Sequence, residues 1–190
     1  MLKITLFSSL LAFSLLFQGC SSEKKESTQT TAKANALLAT NEIVLTTLTD
    51  KQIVLHKTND GLSLEDKKKP IVIFDIFATW CPPCQAEASV LSSIQKKYNK
   101  YVEVIGVTIE DNIPNEKLKT FQKDYNANYT IVNSAQNRTL IDDLATKLKL
   151  GNNFGIPLVV IYKDGKLVNY YQGVTEEEFI ESDLKKALEI

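Results

Sequence analysis

The chain has 190 residues, of which 44% are hydrophobic, and its formal net charge at pH 7 is −1. This length and hydrophobic content predict one globular domain and additional segments outside it. Because the chain has neither a large positive charge nor a basic patch, nucleic acid is not an expected partner.

Residues 1–19 have the pattern of a bacterial lipoprotein signal peptide. Lys3 gives a short positive start, and the apolar run over 4–17 is too short to span a bilayer comfortably. The run ends before Gly19-Cys20 and resembles a lipobox, although Phe17 and Gln18 stand where a leucine and a small residue are usual. These features predict export with a lipid attached to Cys20. A retained N-terminal anchor is the alternative, and it would leave the domain on the same side of the membrane.

Residues 20–41 are predicted to be the lipidated cysteine and a flexible tether. The stretch from Ser21 to about Ala36 is rich in Ser, Thr, Lys and Glu and lacks aromatic residues, a composition typical of a solvated coil. With Cys20 acylated, the exported domain keeps two cysteines, Cys81 and Cys84. An exported protein with a single C-x-x-C pair and no structural disulfide is expected to use that pair for chemistry.

The rest of the chain, residues 42–190, is predicted to be one α/β domain. It opens with a β-hairpin over 42–48 and 52–56, followed by a polar connector over 62–69. Five further strands are predicted at 71–77, 102–109, 129–132, 158–162 and 167–171. Helices are predicted over about 84–99, after Pro114, over about 140–148, and from Thr175, which would form a capping box with Glu178. Strands that alternate with helices and finish in a hairpin and a helix indicate a mixed central sheet flanked by helices.

The segment Trp80-Cys81-Pro82-Pro83-Cys84 lies where the strand over 71–77 passes into a helix. The start of a helix carries unpaired N–H groups and the positive end of the dipole, which stabilise a thiolate at Cys81. Pro82 and Pro83 fit there because the first turn has no internal partner for its N–H groups. Cys81 is expected to be the more accessible, attacking thiol, and Cys84 the inward-facing, resolving thiol. The segment predicts dithiol–disulfide exchange through a Cys81–Cys84 disulfide, with no other cofactor.

A C-x-x-C pair can instead be half of a zinc site. Structural zinc needs about four Cys or His ligands, and the chain offers only Cys20 and His56 besides the pair. No metal is therefore expected, and His56 is interpreted as a surface residue. A purely structural disulfide is the other alternative, but a bridge that closes so small a loop removes little chain entropy.

Two acidic residues are candidate proton acceptors for Cys84. Asp75 shares strand parity with Ile73 and Phe77, which predicts burial, a raised pKa and the ability to take a proton near neutral pH. Glu87 lies one turn past Cys84 on the same helical face and is the second candidate. The alternative for each is a satisfied or surface acid. For Glu87, an acid in the third position of a helix can simply favour the helix dipole.

From about Glu42 to its end, the chain resembles the membrane-tethered thioredoxin-like proteins of the TlpA/ResA type, which include proteins that serve cytochrome c maturation. The resemblance rests on the motif Phe-Ala-Thr-Trp-Cys-Pro-Pro-Cys over 77–84, on Glu87, and on Gly155-Ile156-Pro157 before a strand. The N-terminal hairpin and an inserted strand and helix after the first βαβ unit also match. Asp75 stands where that family commonly has asparagine, and it matches the buried aspartate of thioredoxin instead.

The resemblance implies a thioredoxin-like fold in which Pro157 is a cis-proline facing the cysteines. Ile156 and Pro157 would present backbone to an extended substrate chain, beside Pro82 and Pro83. Trp80 would pack beside the disulfide or belong to the core.

The resemblance also implies a reductase of disulfides in exported proteins, such as apocytochrome c. The enzyme would work outside the cytoplasm on a bacterial membrane, in the periplasm where an outer membrane exists, and a membrane electron donor of the thiol-transporter type would reduce it. The alternatives are a disulfide-forming oxidase, a metal chaperone that uses the cysteine pair, and a binding lipoprotein with a vestigial thioredoxin fold.

Overall fold

The computed structural model describes residues 41–59, 61–151 and 153–190. The predicted signal peptide, Cys20 and all of the predicted tether up to residue 40 lie outside the described residues. Within the described ranges, no helix combines the length and the apolar character that a membrane crossing requires.

The domain begins with a small antiparallel sheet of three strands, β1 (Glu42–Thr46), β2 (Gln52–Lys57) and β3 (Leu62–Leu64). The predicted hairpin of β1 and β2 is confirmed. The prediction of a mere connector from residue 62 is wrong for its first three residues, because Leu62 pairs with Lys57 across the sheet and is fully buried. His56 lies partly exposed near the end of β2, beside Glu42, in agreement with its interpretation as a surface residue.

The central sheet has five strands in the order β6-β5-β4-β7-β8. The middle strand β4 pairs parallel with β5 and antiparallel with β7, which confirms a mixed sheet. β6 lies parallel to β5, and β8 lies antiparallel to β7 after a tight turn at Asp164-Gly165. The strand bounds are β4 Ile71–Phe77, β5 Val102–Thr108, β6 Thr130–Val132, β7 Leu158–Lys163 and β8 Lys166–Gln172.

Four helices cover the two faces of this sheet: α1 Pro82–Lys97, α2 Asn115–Asp124, α3 Asn137–Lys147 and α4 Glu177–Leu188. Successive side chains of β4 point to opposite faces. Ile73 and Phe77 pack with α1, α2 and α4, whereas Phe74 and Ile76 pack with α3 and the small N-terminal sheet. The parity of Asp75 therefore places it on the α1 side, which is the side that also holds both cysteines.

The predicted helix after the strand is confirmed: α1 begins at Pro82, and both prolines occupy its first turn as expected. One predicted helix start is wrong. The predicted capping box of α4 does not form, because the helix begins at Glu177 with Glu176 as its N-cap residue and no side-chain cap. The backbone N–H of Thr175 instead donates to the carboxylate of Glu87, a residue of α1.

Candidate active site

The two cysteines of the motif form a disulfide at the N-terminus of α1, with their Cα atoms 5.2 Å apart. Cys81 is the N-cap residue, in extended conformation, and Pro82 and Pro83 are the first two residues of the helix. The backbone N–H of Cys84 donates to Cys81 Sγ across 3.2 Å. An N–H group at a helix start, aimed at a sulfur atom, favours negative charge on that sulfur. The local structure thus has the geometry expected for a reactive thiolate at Cys81.

Both cysteines are buried in the disulfide form, with Cys81 3% and Cys84 1% exposed. The predicted difference in access between them is therefore small in this state. The exposed surface beside the disulfide comes from its neighbours, because Pro82 and Pro83 are exposed and Trp80 is 65% exposed. The alternative that Trp80 belongs to the core is wrong.

The peptide bond between Ile156 and Pro157 is cis, as the resemblance implied. The carbonyl oxygen of Ile156 lies 3.9 Å from Cys81 Sγ, and Ile156 is half-buried. The carbonyl of Pro157 accepts a hydrogen bond from the N–H of Gly173, just past the end of β8. The predicted backbone segment therefore lies directly against the disulfide, on an element that follows the motif by more than seventy residues.

Asp75 is buried in the middle of β4, as its parity predicted, with 1% of its surface exposed. Its Oδ2 accepts a hydrogen bond of 2.8 Å from the hydroxyl of Tyr129. No hydrogen-bond donor among the described residues reaches Oδ1. Burial raises the pKa of Asp75 to about 7, the bond from Tyr129 opposes that rise, and the charge of Glu87 adds to it.

Glu87 is fully buried, so the alternatives of a surface acid and of an acid near the helix dipole are both wrong for it. It lies past the first turn of α1. Its Oε2 accepts the N–H of Thr175 at 2.9 Å, and Oε1 has no hydrogen-bond partner within the described part of the chain. Burial raises the pKa of Glu87 to about 7, against the opposing effect of the bond from Thr175.

Three residues that contact the site were not predicted from the sequence to do so: Tyr129, Thr175 and Glu110. The carboxylate of Glu110 accepts from the N–H and the hydroxyl of Thr79, at 2.6 and 3.0 Å, and so fixes the loop that leads into the motif. A usable signal existed for Glu110. It follows β5 as Thr79 follows β4, and the carboxyl ends of neighbouring parallel strands meet at one edge of a sheet. The contacts of Tyr129 and Thr175 have no comparable sequence signal.

The arrangement can carry out thiol–disulfide exchange with proton transfer near neutral pH. Cys81 has a charge-stabilising N–H, and the disulfide is flanked by exposed apolar surface. Two carboxyl groups with pKa values of about 7 lie on the same side of the sheet as Cys84. Groups with such pKa values are the most effective proton acceptors and donors at neutral pH.

Comparison with known proteins agrees with this chemistry. The sequence model of the Redoxin family matches residues 26–188. The thiol-disulfide oxidoreductase ResA of Bacillus thuringiensis subsp. konkukian (strain 97-27) is 28% identical over 136 residues, which cover 70% of this chain and 73% of that protein. The protein of the same name from Bacillus subtilis (strain 168) is 26% identical over 148 residues, covering 77% and 78% of the two chains.

Among solved structures, a thiol:disulfide interchange protein of the thioredoxin family from Chlorobium tepidum TLS has a similar fold, with a TM-score of 0.60 and 20% identity. The alignment covers 78% of this chain and 94% of that one. With the fold, the cysteine pair and the family match in agreement, the chain belongs to the redoxin family, as a TlpA/ResA-like thiol-disulfide oxidoreductase with a thioredoxin-like fold.

Proposed function

We propose that this oxidoreductase is a membrane-tethered reductase that works outside the cytoplasm on disulfides in exported proteins, such as apocytochrome c. The observation that carries the proposed direction is the pair of buried acids, Asp75 and Glu87, on the cysteine side of the sheet. Strongly oxidising proteins of this kind have a stabilised reduced form. Carboxylates near the cysteines have the opposite effect, because like charges repel strongly in a low-dielectric interior. The acid pair therefore supports a disulfide that is hard to reduce, which a reductase requires.

The reaction starts from the reduced protein. The Cys81 thiolate attacks one sulfur of the substrate disulfide, so that a mixed disulfide forms and the first substrate thiolate leaves. Cys84 then loses its proton and attacks Cys81 Sγ, which restores the Cys81–Cys84 disulfide and releases the second substrate thiolate. Two electrons pass to the substrate, and the cysteine pair needs no further cofactor. The N–H of Cys84 supports Cys81 as the attacking residue.

The resolving step depends on a proton acceptor, since Cys84 is buried and only its thiolate attacks. Asp75 is the first candidate and Glu87 the second. With a pKa of about 7, each is partly ionised at neutral pH and able to take the proton. The proton passes to the solvent after the substrate leaves.

The substrate chain is proposed to lie across the exposed surface beside the disulfide. The backbone of Ile156 and Pro157 would meet the extended substrate backbone, and the side chains of Trp80, Pro82 and Pro83 would contact its apolar groups. The proximity of the Ile156 carbonyl to Cys81 and the 65% exposure of Trp80 support this assignment.

The predicted signal peptide and lipidation at Cys20 support a location on the outer side of a bacterial membrane, in the periplasm where an outer membrane exists. The tether would let the domain reach substrates near that membrane. Returning the Cys81–Cys84 disulfide to the dithiol requires two electrons, which a membrane donor of the thiol-transporter type would supply.

The equilibrium potential of the Cys81–Cys84 pair against glutathione tests the proposed direction. A reductase is expected to have a thioredoxin-like value of about −270 mV or lower. A value near about −120 mV would identify the alternative, a disulfide-forming oxidase.

A further inference from the structure

Tyr129 is the residue that binds Asp75, and it comes from a distant part of the chain. It lies in the connection between α2 and β6, is 6% exposed, and donates its hydroxyl to Asp75 Oδ2 at 2.8 Å. Its ring belongs to the same apolar cluster as Cys81 and Cys84. The hydroxyl of Tyr129 therefore lies on the same face of the central sheet as the disulfide.

A glycine in β5 makes room for this contact. Asp75 of β4 pairs with Gly106 of β5, and Gly106 pairs with Ile131 of β6. A Cβ atom on Gly106 would lie 3.0 Å from Tyr129 Cε2 and 3.1 Å from Ile131 Cγ1, closer than ordinary van der Waals contact. The tyrosine ring therefore crosses β5 over a position that has no side chain, and this is how it reaches Asp75 two strands away from β6.

We propose that Tyr129 is a positioning residue for the exchange reaction, whose hydroxyl occupies Oδ2 of Asp75 and leaves Oδ1 to receive the proton of Cys84. This role rests on the proposed function of Asp75 as the proton acceptor. Without the hydroxyl, both oxygens of Asp75 would be buried without a donor among the described residues. A buried carboxylate in that condition is strongly disfavoured against the neutral acid.

The groups around Asp75 decide whether loss of the Tyr129 hydroxyl raises or lowers the pKa of Asp75. Its sheet neighbours, Gly106 and Val159, do not titrate. Glu87 faces it from α1 and raises its pKa by charge repulsion, and the bond from Tyr129 lowers it because an O–H donor prefers the carboxylate. Burial and the neighbouring charge of Asp75 raise the pKa of Tyr129 itself, so its hydroxyl remains a donor throughout the neutral range.

The direct test is Tyr129→Phe, which removes the hydroxyl and keeps the ring. Carbon-13 NMR of the Asp75 carboxyl, followed from pH 4 to pH 10 in the oxidised protein, should show a pKa higher than in the wild type by about one pH unit, a tenfold change in proton binding. Exchange with a model disulfide should slow several-fold at pH 7 and recover at higher pH. Gly106→Ala keeps the hydroxyl but crowds the ring, and it should shift the Asp75 titration in the same direction.

Tyr171→Phe is the matched control, because Tyr171 is partly buried against the same apolar cluster but donates its hydroxyl to a different aspartate, Asp183. It should leave the Asp75 titration and the exchange profile unchanged. In an Asp75→Asn background, Tyr129→Phe should have no further effect on the exchange profile. Urea unfolding of each variant verifies that the comparison is made between folded proteins.

An Asp75 titration that stays in place in Tyr129→Phe overturns the proposal, whatever the exchange rates are. A shifted titration with wild-type exchange at every pH overturns it as well. In that second case the failure lies with Asp75 as the acceptor, and Asp75→Asn would then exchange at the wild-type rate on its own. An equal shift in Tyr171→Phe also contradicts a specific role for Tyr129.

Discussion

At the scale of single residues, the main feature of the site is two acidic side chains that the fold removes from water, although water normally stabilises their charged form. Asp75 and Glu87 are both buried, and each has one oxygen bonded and one without a donor among the described residues. The cost of ionising them falls on the folded state, because the unfolded chain exposes both carboxyls to water. Such a cost is typical of residues retained for chemistry.

Asp75→Asn should therefore change stability in a pH-dependent way. The folded pKa of about 7 lies above the unfolded value of about 3.9, so Asp75 favours folding at low pH and this contribution is lost as pH rises through about 7. The variant should be more stable than the wild type above neutral pH, most clearly when reduced, by at most roughly 4 kcal/mol. It should also release the mixed disulfide more slowly. Urea midpoints across pH and stopped-flow exchange with a model disulfide measure the two effects.

Asp183→Asn is the control, since Asp183 also accepts a tyrosine hydroxyl but is partly exposed. An Asp75→Asn stability gain that is the same at pH 4 and pH 8 would show that Asp75 is not an ionising buried acid. Wild-type exchange in the same variant would leave Glu87 as the proton acceptor.

The order of attack can be tested on the cysteines themselves. Because the N–H of Cys84 favours charge on Cys81 Sγ, Cys84→Ser should accumulate mixed disulfides through Cys81, and Cys81→Ser should trap little. Mass spectrometry of alkylated complexes counts both products. Equal trapping by the two variants would refute the assignment of Cys81 as the nucleophile.

At the scale of elements, α1 is the part that connects the site to the rest of the fold. Glu87 accepts the backbone N–H of Thr175, just before α4. Ser93 and Lys97, further along α1, bind Glu177 and Glu181 of α4. Polar contacts therefore connect α1 with α4 and with the residue just before it at several points along α1. The buried acid Glu87 makes one of these contacts.

Glu87→Gln and Glu87→Ala separate the charge of Glu87 from its hydrogen bond. Glutamine can still accept from Thr175 and cannot ionise, so it should stabilise the protein above about pH 7, where the buried carboxylate is charged. Alanine also removes the charge but leaves the buried Thr175 N–H without its acceptor, so it should be less stable than the glutamine variant at every pH by about 1–3 kcal/mol. Urea midpoints at pH 5 and pH 8 distinguish the two. If both variants behave alike, the bond to Thr175 contributes nothing of its own.

At the scale of the whole molecule, the proposed direction of electron flow predicts the relative stability of the oxidised and the reduced folded protein. If the enzyme is a reductase, its disulfide must be harder to reduce in the folded protein than in the unfolded chain. The potential and the stability are then linked, since each 30 mV corresponds to about 1.4 kcal/mol for this two-electron couple.

The oxidised protein should accordingly be more stable to urea than the reduced protein. The Cys81→Ser Cys84→Ser double variant, measured under the same oxidising and reducing conditions, controls for effects of the reductant. A reduced form that is the more stable of the two would indicate an oxidase.

The sequence alone determined the features that depend on neighbours along the chain. The motif over 80–84 follows a strand and opens a helix, and both facts follow from local periodicity. The burial of Asp75 follows from the two-residue alternation of β4 in the same way. The mixed sheet was predicted because strands and helices alternate in a recognisable order, and a family resemblance supplied the cis-proline.

Tertiary structure alone decided which groups meet. The partner of Asp75 lies 54 residues away along the chain, and the partner of Glu87 lies 88 residues away. Neither contact produces a periodic pattern in the sequence, because Tyr129 and Thr175 lie in loops that only the tertiary fold places at the site. The same applies to Leu62, which forms a strand only because β2 offers it an edge and the core covers it. The sequence thus identified the cysteine pair that forms the disulfide, and the fold supplied the hydroxyl and the backbone N–H that bind the two buried acids.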